Sequence, residues 1–113
     1  MPMINSKISI PVSQDKRDIL KAELGKAVSI LGKPESYLML GFEDNYDLYF
    51  AGKKLEKGAF ISVELLGSVN PDSSNKMTSK ICEIFESVLG IPGDGIYITY
   101  QGYQNWGWNG SNF

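Results

Sequence analysis

The strongest constraint on this chain is an internal repeat. Leu31-Gly32-Lys33-Pro34 is followed by Leu38, Leu40 and Phe42, and Leu89-Gly90-Ile91-Pro92 is followed at the same spacing by Ile96, Ile98 and Tyr100. Upstream of the first motif, Ile19, Leu20, Leu24, Ala27, Val28 and Leu31 recur at three- and four-residue intervals; upstream of the second, Met77, Ile81, Cys82, Ile84, Phe85, Val88 and Leu89 do the same. That period predicts two helices. Ser13 suits the N-cap of the first, and Asp72 or Ser73, after Asn70-Pro71, that of the second. Gly32 and Gly90 suit the left-handed residue that ends a helix, and Pro34 and Pro92 block its continuation.

A strand is predicted on each side of each helix: Met3 to Ile10 and Tyr37 to Glu43 around the first, Ala59 to Gly67 and Gly95 to Gln101 around the second. The chain thus reads as an α/β (α+β) fold, one domain over 1–113 with two β-α-β repeats at about 2–57 and 58–101 and an aromatic tail at 102–113. Right-handed crossovers make the two strands of each repeat parallel. Duplication about a pseudo-two-fold then yields a four-stranded mixed sheet with both helices on one face. Leu48-Tyr49-Phe50 and Gly52 read as a short edge strand or hairpin between the halves. Leu38, Met39 and Leu40, Leu65 and Leu66, and Ile96, Tyr97 and Ile98 carry apolar residues of both parities, so these strands expect cover on both faces. Two helices cover one face, and the other is expected to pack on further subunits.

Composition narrows the chemistry. There is no histidine, so no Ser-His-Asp triad, Cys-His pair or imidazole metal site can form. Cys82 is the only cysteine, which excludes an internal disulfide and a thiolate zinc cluster. It lies on an apolar helix stripe and reads as a structural thiol. With 11 Lys+Arg against 13 Asp+Glu and no basic run, nucleic acid and anionic membranes are not expected partners. Neither a signal peptide nor a membrane span is evident, so a cytoplasmic setting is expected, with secretion by a route needing no signal peptide left open. Glu43, Asp44 and Asp47 read as a solvated loop, and Asn109-Gly110-Ser111 as a turn.

One residue offers a base without histidine. Met1 precedes Pro2, and aminopeptidases remove an initiator before small residues; the product is a prolyl secondary amine at the start of a strand. A free α-amine titrates at about 7.7–8.0, and an apolar pocket beside a cation lowers it further. Lys33, in the helix-to-strand turn, reads either as a cation favouring a helix C-terminus or as a charge for a substrate carboxylate. Tyr37, Tyr97 and Trp106 read either as core or as pocket wall.

Pro2, Gly32-Lys33-Pro34 with Tyr37, Leu66-Gly67, Ile96-Tyr97-Ile98 and the tail Trp106-Gly107-Trp108-Asn109-Gly110-Ser111-Asn112-Phe113 together resemble the macrophage migration inhibitory factor family of the tautomerase superfamily, from Pro2 to Phe113. The resemblance implies a homotrimer with sites between subunits and cofactor-independent keto–enol tautomerisation of phenylpyruvate-like aromatic α-keto acids, with neither cofactor nor metal. It implies that Pro2 is the catalytic base, that Lys33 and the backbone of Leu66 bind the carboxylate and carbonyl end, and that Tyr37, Tyr97, Trp106 and Phe113 form an aromatic wall. Thr99 stands where the family has a substrate-binding asparagine. The Cys-x-x-Cys of the mammalian cytokine is absent, with Gly58, Ala59, Phe60 and Ile61 in that stretch, and the loop before Trp106 is about two residues shorter. Two other roles are compatible with the same resemblance: a cytokine-like protein that binds a cell-surface receptor and carries the pocket incidentally, and a structural trimer with a vestigial pocket.

Overall fold

The computed structural model describes every residue, Met1–Phe113. The first unit is β1 (Pro2–Ile8), α1 (Gln14–Ala27) and β2 (Met39–Glu43). A hairpin of β3 (Tyr49–Phe50) and β4 (Lys53–Lys54) leads to the second unit, β5 (Ala59–Leu66), α2 (Pro71–Leu89) and β6 (Ile96–Tyr103). The tail forms a hairpin of β7 (Gly107–Trp108) and β8 (Ser111–Asn112). The main sheet has the order β2-β1-β5-β6. β1 and β2 are parallel, β5 and β6 are parallel, and β1 runs antiparallel to β5. This is the duplicated β-α-β arrangement expected, with the pseudo-two-fold between β1 and β5.

Both helices lie on one face. Leu20, Leu24 and Ala27 of α1 and Met77, Ile81, Ile84 and Phe85 of α2 form one core with Ile4, Ile8, Ile61, Val63 and Leu65 of the sheet. Ser13 caps α1, its hydroxyl accepting the Lys16 N–H at 3.2 Å. The cap of α2 is Asn70, not Asp72 or Ser73: its side chain accepts the Ser73 N–H at 3.0 Å, and Pro71 takes the first helical position, where a missing N–H does no harm. Gly32 and Gly90 are left-handed, with φ of 71° and 69°. Ile19 is 46% exposed, because it flanks the Leu20-Leu24-Ala27 stripe.

Several expected strand limits move. β1 stops at Ile8, before Ile10. Pro34 and Pro92 each lead a 3-10 turn, Glu35–Tyr37 and Gly93–Gly95, so Tyr37 and Gly95 precede the strands instead of opening them. β6 continues past Gln101, so Gly102 and Tyr103 belong to the sheet and not to the tail. Both hairpin turns, Ala51-Gly52 and Asn109-Gly110, have positive φ at both residues, the geometry that matches strand twist.

The helix-free face corrects another expectation. Asn5, Ser62, Thr99 and Gln101 alternate with the core-facing residues along β1, β5 and β6, so the middle of this face is polar. Asn5 donates to Glu43 at 2.9 Å across it. Apolar residues are confined to its two ends, with Met3, Met39 and Leu66 at one and Phe60 and Tyr97 at the other. Leu38, Leu40, Phe42, Ile98 and Tyr100 pack toward the helices. The face as a whole therefore does not require apolar cover.

Two predictions follow from these contacts. Ser6 faces the core at 0% exposure and its hydroxyl has no hydrogen-bond partner. Ser6→Ala removes that desolvated group and should raise the urea midpoint, by about 1 kcal/mol of stability. The Asp44 carboxylate accepts the Val12 N–H at 2.9 Å and meets Arg17 at 3.2 Å. The Val12 N–H first, and Arg17 after it, hold the Asp44 carboxyl below its ordinary value, against an upward push from desolvation. A depressed carboxyl stabilises above its unfolded pKa, about 3.9, and that contribution is lost as pH falls through the folded value. The stability difference between wild type and Asp44→Asn, from urea midpoints, should be constant near neutrality and shrink on acidification below about pH 4.

Candidate active site

The chain start is part of the sheet. Pro2 is buried and pairs with Leu65 of β5, and the preceding carbonyl, of Met1, accepts the Leu66 N–H at 3.1 Å. The next peptide group is also engaged: Lys33 Nζ donates to the Leu66 carbonyl at 2.9 Å. Lys33 reaches this point because Gly32 reverses the chain at the end of the first helical segment. The Leu66 backbone thus ties together the start of β1 and the Lys33 turn. Gly67 follows with φ of 98°, and a Cβ at Gly102 would collide with its carbonyl, so this close approach of β5 and β6 requires glycine.

A cavity of about 630 Å³ opens beside Pro2. Met3, Tyr37, Met39, Trp106 and Trp108 are among the side chains that line it. Tyr37 stands edge-on to Trp108 at 5.9 Å, and Trp108 stacks on Phe113 at 6.1 Å and 14°. Trp106 is braced by Tyr103 at 6.0 Å, and its carbonyl accepts the Phe113 N–H at 3.0 Å. The terminal amine, here that of Met1, is held below its ordinary 8.0, first by burial and then by the Lys33 charge. A neutral amine beside a cation in an apolar hollow can accept a proton near neutral pH.

Of the residues singled out from sequence, Pro2, Lys33, Leu66, Tyr37, Trp106 and Phe113 are gathered at this end of the molecule. Tyr97 and Thr99 are not. Pro2 is in register with Leu65 and through it with Gly102, five residues beyond Tyr97 on β6. At about 3.4 Å per residue that is about 17 Å. Tyr97 is 61% exposed and packs against Phe50 at 5.5 Å. Sequence reasoning missed Met3, Met39 and Trp108 as lining residues. Met3 and Met39 are register partners on adjacent strands, and the register was the missing information. Trp108 required the tail hairpin, for which Asn109-Gly110 was the available signal. No group of three or more His, Cys, Asp or Glu is placed to hold a metal ion, and no helix is long and apolar enough to cross a membrane.

Comparison with known proteins agrees with this arrangement. The family model described as macrophage migration inhibitory factor matches residues 1–113. The macrophage migration inhibitory factor homologue of Trichuris trichiura is 29% identical over 115 residues, covering 100% of both chains. The crystal structure of Leishmania major MIF2 superposes with a TM-score of 0.93 at 33% identity, covering 100% of this chain and 97% of that one. The macrophage migration inhibitory factor homologue of Prochlorococcus marinus gives 0.87 at 32% identity, with 98% of each chain covered.

The electrostatics at the chain start can be tested directly. Lys33→Ala removes one of the two influences that lower the terminal amine, so its pKa should rise toward 8.0. The check is the pH dependence of amine acylation, read on the N-terminal peptide by mass spectrometry. An unmoved midpoint would show that the Lys33 charge does not reach the amine.

Proposed function

The chain belongs to the macrophage migration inhibitory factor family, and on that premise we propose that it is a cofactor-independent keto–enol tautomerase for phenylpyruvate-like α-keto acids, with the Pro2 nitrogen as base. One observation carries the reading. Leu66 presents its backbone N–H to the Met1 carbonyl and its own carbonyl, in the following peptide group, to Lys33. Removal of Met1 frees the Pro2 amine, the Leu66 N–H and the space Met1 occupies in the cavity, all at one point. An amine base, a backbone donor and an ammonium group then converge beside an apolar wall.

The chemistry follows from that set. The substrate carbonyl and carboxylate lie against Lys33 Nζ and the Leu66 N–H. The Pro2 nitrogen takes a proton from the carbon next to the carbonyl. That C–H electron pair forms the carbon–carbon double bond, and the carbonyl pair moves onto oxygen. Lys33 and the Leu66 N–H stabilise this oxyanion, and the proton is returned to it to give the enol. The reverse sequence gives the ketone. The aryl ring rests on Tyr37, Trp106 and Trp108, with Phe113 behind Trp108.

The proposed active form is a homotrimer, in which Tyr97 and Thr99 of a neighbouring copy complete each pocket. Three features support it. Both residues lie at a distance from Pro2 in their own protomer. Strands β2 and β6 are unpaired edges of the main sheet, and Tyr49, Phe50 and Trp108 stand exposed on the two hairpins. Open edges and exposed aromatics at the same time are a liability in an isolated protomer.

Intact mass and phenylpyruvate tautomerisation, measured on the same sample, test the reading. Protein freed of Met1 should turn over, and protein retaining it should be slower by about 100-fold or more, because its Pro2 nitrogen is an amide. Lys33→Ala should raise KM by about tenfold through lost carboxylate binding and lower kcat as well, because the oxyanion loses one of its two donors. Equal rates with and without Met1 would remove Pro2 from the mechanism.

A further inference from the structure

Met1, while it is retained, holds a reactive group of its own. Its carbonyl accepts the Leu66 N–H at 3.1 Å. Pro2 is opposite Leu65, so Met1 is opposite Leu66, and the two stand as a hydrogen-bonded antiparallel pair. Such a pair exchanges two bonds, and the second would run from the Met1 nitrogen to the Leu66 carbonyl. Lys33 Nζ takes that carbonyl instead, at 2.9 Å. The terminal amine is therefore left at the ladder position beside the Lys33 ammonium, without the acceptor that would favour its own charge. No carboxylate compensates it, since none of the four ion pairs includes the amino terminus.

The surroundings act in the same direction. Met1 is half-buried and lines the apolar cavity together with Pro2, Met3 and Tyr37. Burial first, and the Lys33 charge after it, hold the amine below 8.0, so more of it is neutral at a given pH than in an ordinary terminus. The buried Pro2 ring restricts the backbone of the residue before it, which keeps the amine in place. A desolvated primary amine next to a second cationic group is an activated nucleophile toward carbonyl carbon. The prolyl secondary amine left after Met1 is removed cannot form a neutral imine.

We propose that the chain retaining Met1 captures carbonyl compounds, its Met1 amine condensing with α-keto acids whose carboxylate is held by Lys33. The inference rests on the reading that Lys33 receives the carboxylate and does not depend on Pro2 as base. In an α-keto acid the carbonyl carbon is bonded to the carboxylate, so a carboxylate on Lys33 brings that carbon to the neighbouring amine. The nitrogen lone pair adds to the carbonyl carbon, the C=O pair moves onto oxygen, and one N–H proton passes to that oxygen. The hydroxyl then leaves with the remaining N–H proton as water, and the C=N bond forms. No oxidant or reductant is consumed.

The test uses the full chain with Met1 verified by intact mass. The probes are phenylglyoxylate, an α-keto acid with no enolisable hydrogen, and its neutral methyl ester, whose ketone is intrinsically the more electrophilic. Cyanoborohydride reduces an imine to a stable amine, and peptide mass spectrometry locates it. Met1 should be labelled about tenfold faster by the acid than by the ester, and faster than the lysine side chains. Phenylacetate, a carboxylate without a ketone, should slow labelling by the acid in the wild-type chain. Lys33→Ala should bring the acid-to-ester ratio to about one or below, with the urea midpoint checking that the variant is folded. Labelling spread evenly over the lysines, a ratio near one in wild type, no slowing by phenylacetate, or a ratio that survives Lys33→Ala overturns the proposal. Labelling of Met1 without phenylpyruvate turnover by the Met1-free protein keeps the capture and removes the tautomerase. Turnover without labelling does the reverse.

Discussion

The antiparallel pairing of β1 with β5 is the contact on which the rest depends. Each β-α-β unit alone presents two parallel strands and a helix, with half a core. The pairing joins the units, closes the core between α1 and α2, and places the first residues of the chain at the centre of the sheet. A chain terminus is ordinarily mobile. Here it is held between β2 and β5, with Pro2 opposite Leu65 and the preceding Met1 carbonyl bonded by the Leu66 N–H. The rigidity of that start is a consequence of topology and not of any local feature of the N-terminal segment.

The repeat made much of this legible. Two helices with glycine stops, four flanking strands and their parallel pairing all follow from periodicity and the recurring Leu-Gly-x-Pro. The misreadings have a common physical origin, since each depended on geometry beyond the local pattern. Tyr37 belongs to a turn because Pro34 sets up a tight 3-10 segment, which alternation of apolar residues does not reveal. Asn70 caps α2 because Pro71 occupies the first helical position, so two plausible capping residues downstream lie inside the helix. The open face looked apolar because neighbouring residues in sequence, such as Leu65 and Leu66, were weighed together although they point to opposite sides. Of the candidate site, the base, the cation and most of the aromatic wall were identifiable from residue type and position. The position of Tyr97 at the other end of the sheet and of Thr99 at its middle was not, because it depends on strand register.

The site also shows how one small fold separates charge without histidine or metal. A cation reaches the Leu66 carbonyl from a helix-to-strand turn, and a carboxylate stands two residues earlier on the same strand. Between them lie the start of β1 and the crossing tail.

Both ends of the polypeptide finish at the same cavity: Met1 lines it, and Phe113 packs on its Trp108 wall. A purification handle or reporter fused at either terminus therefore crowds the pocket, and one at the amino end also leaves the Pro2 nitrogen an amide.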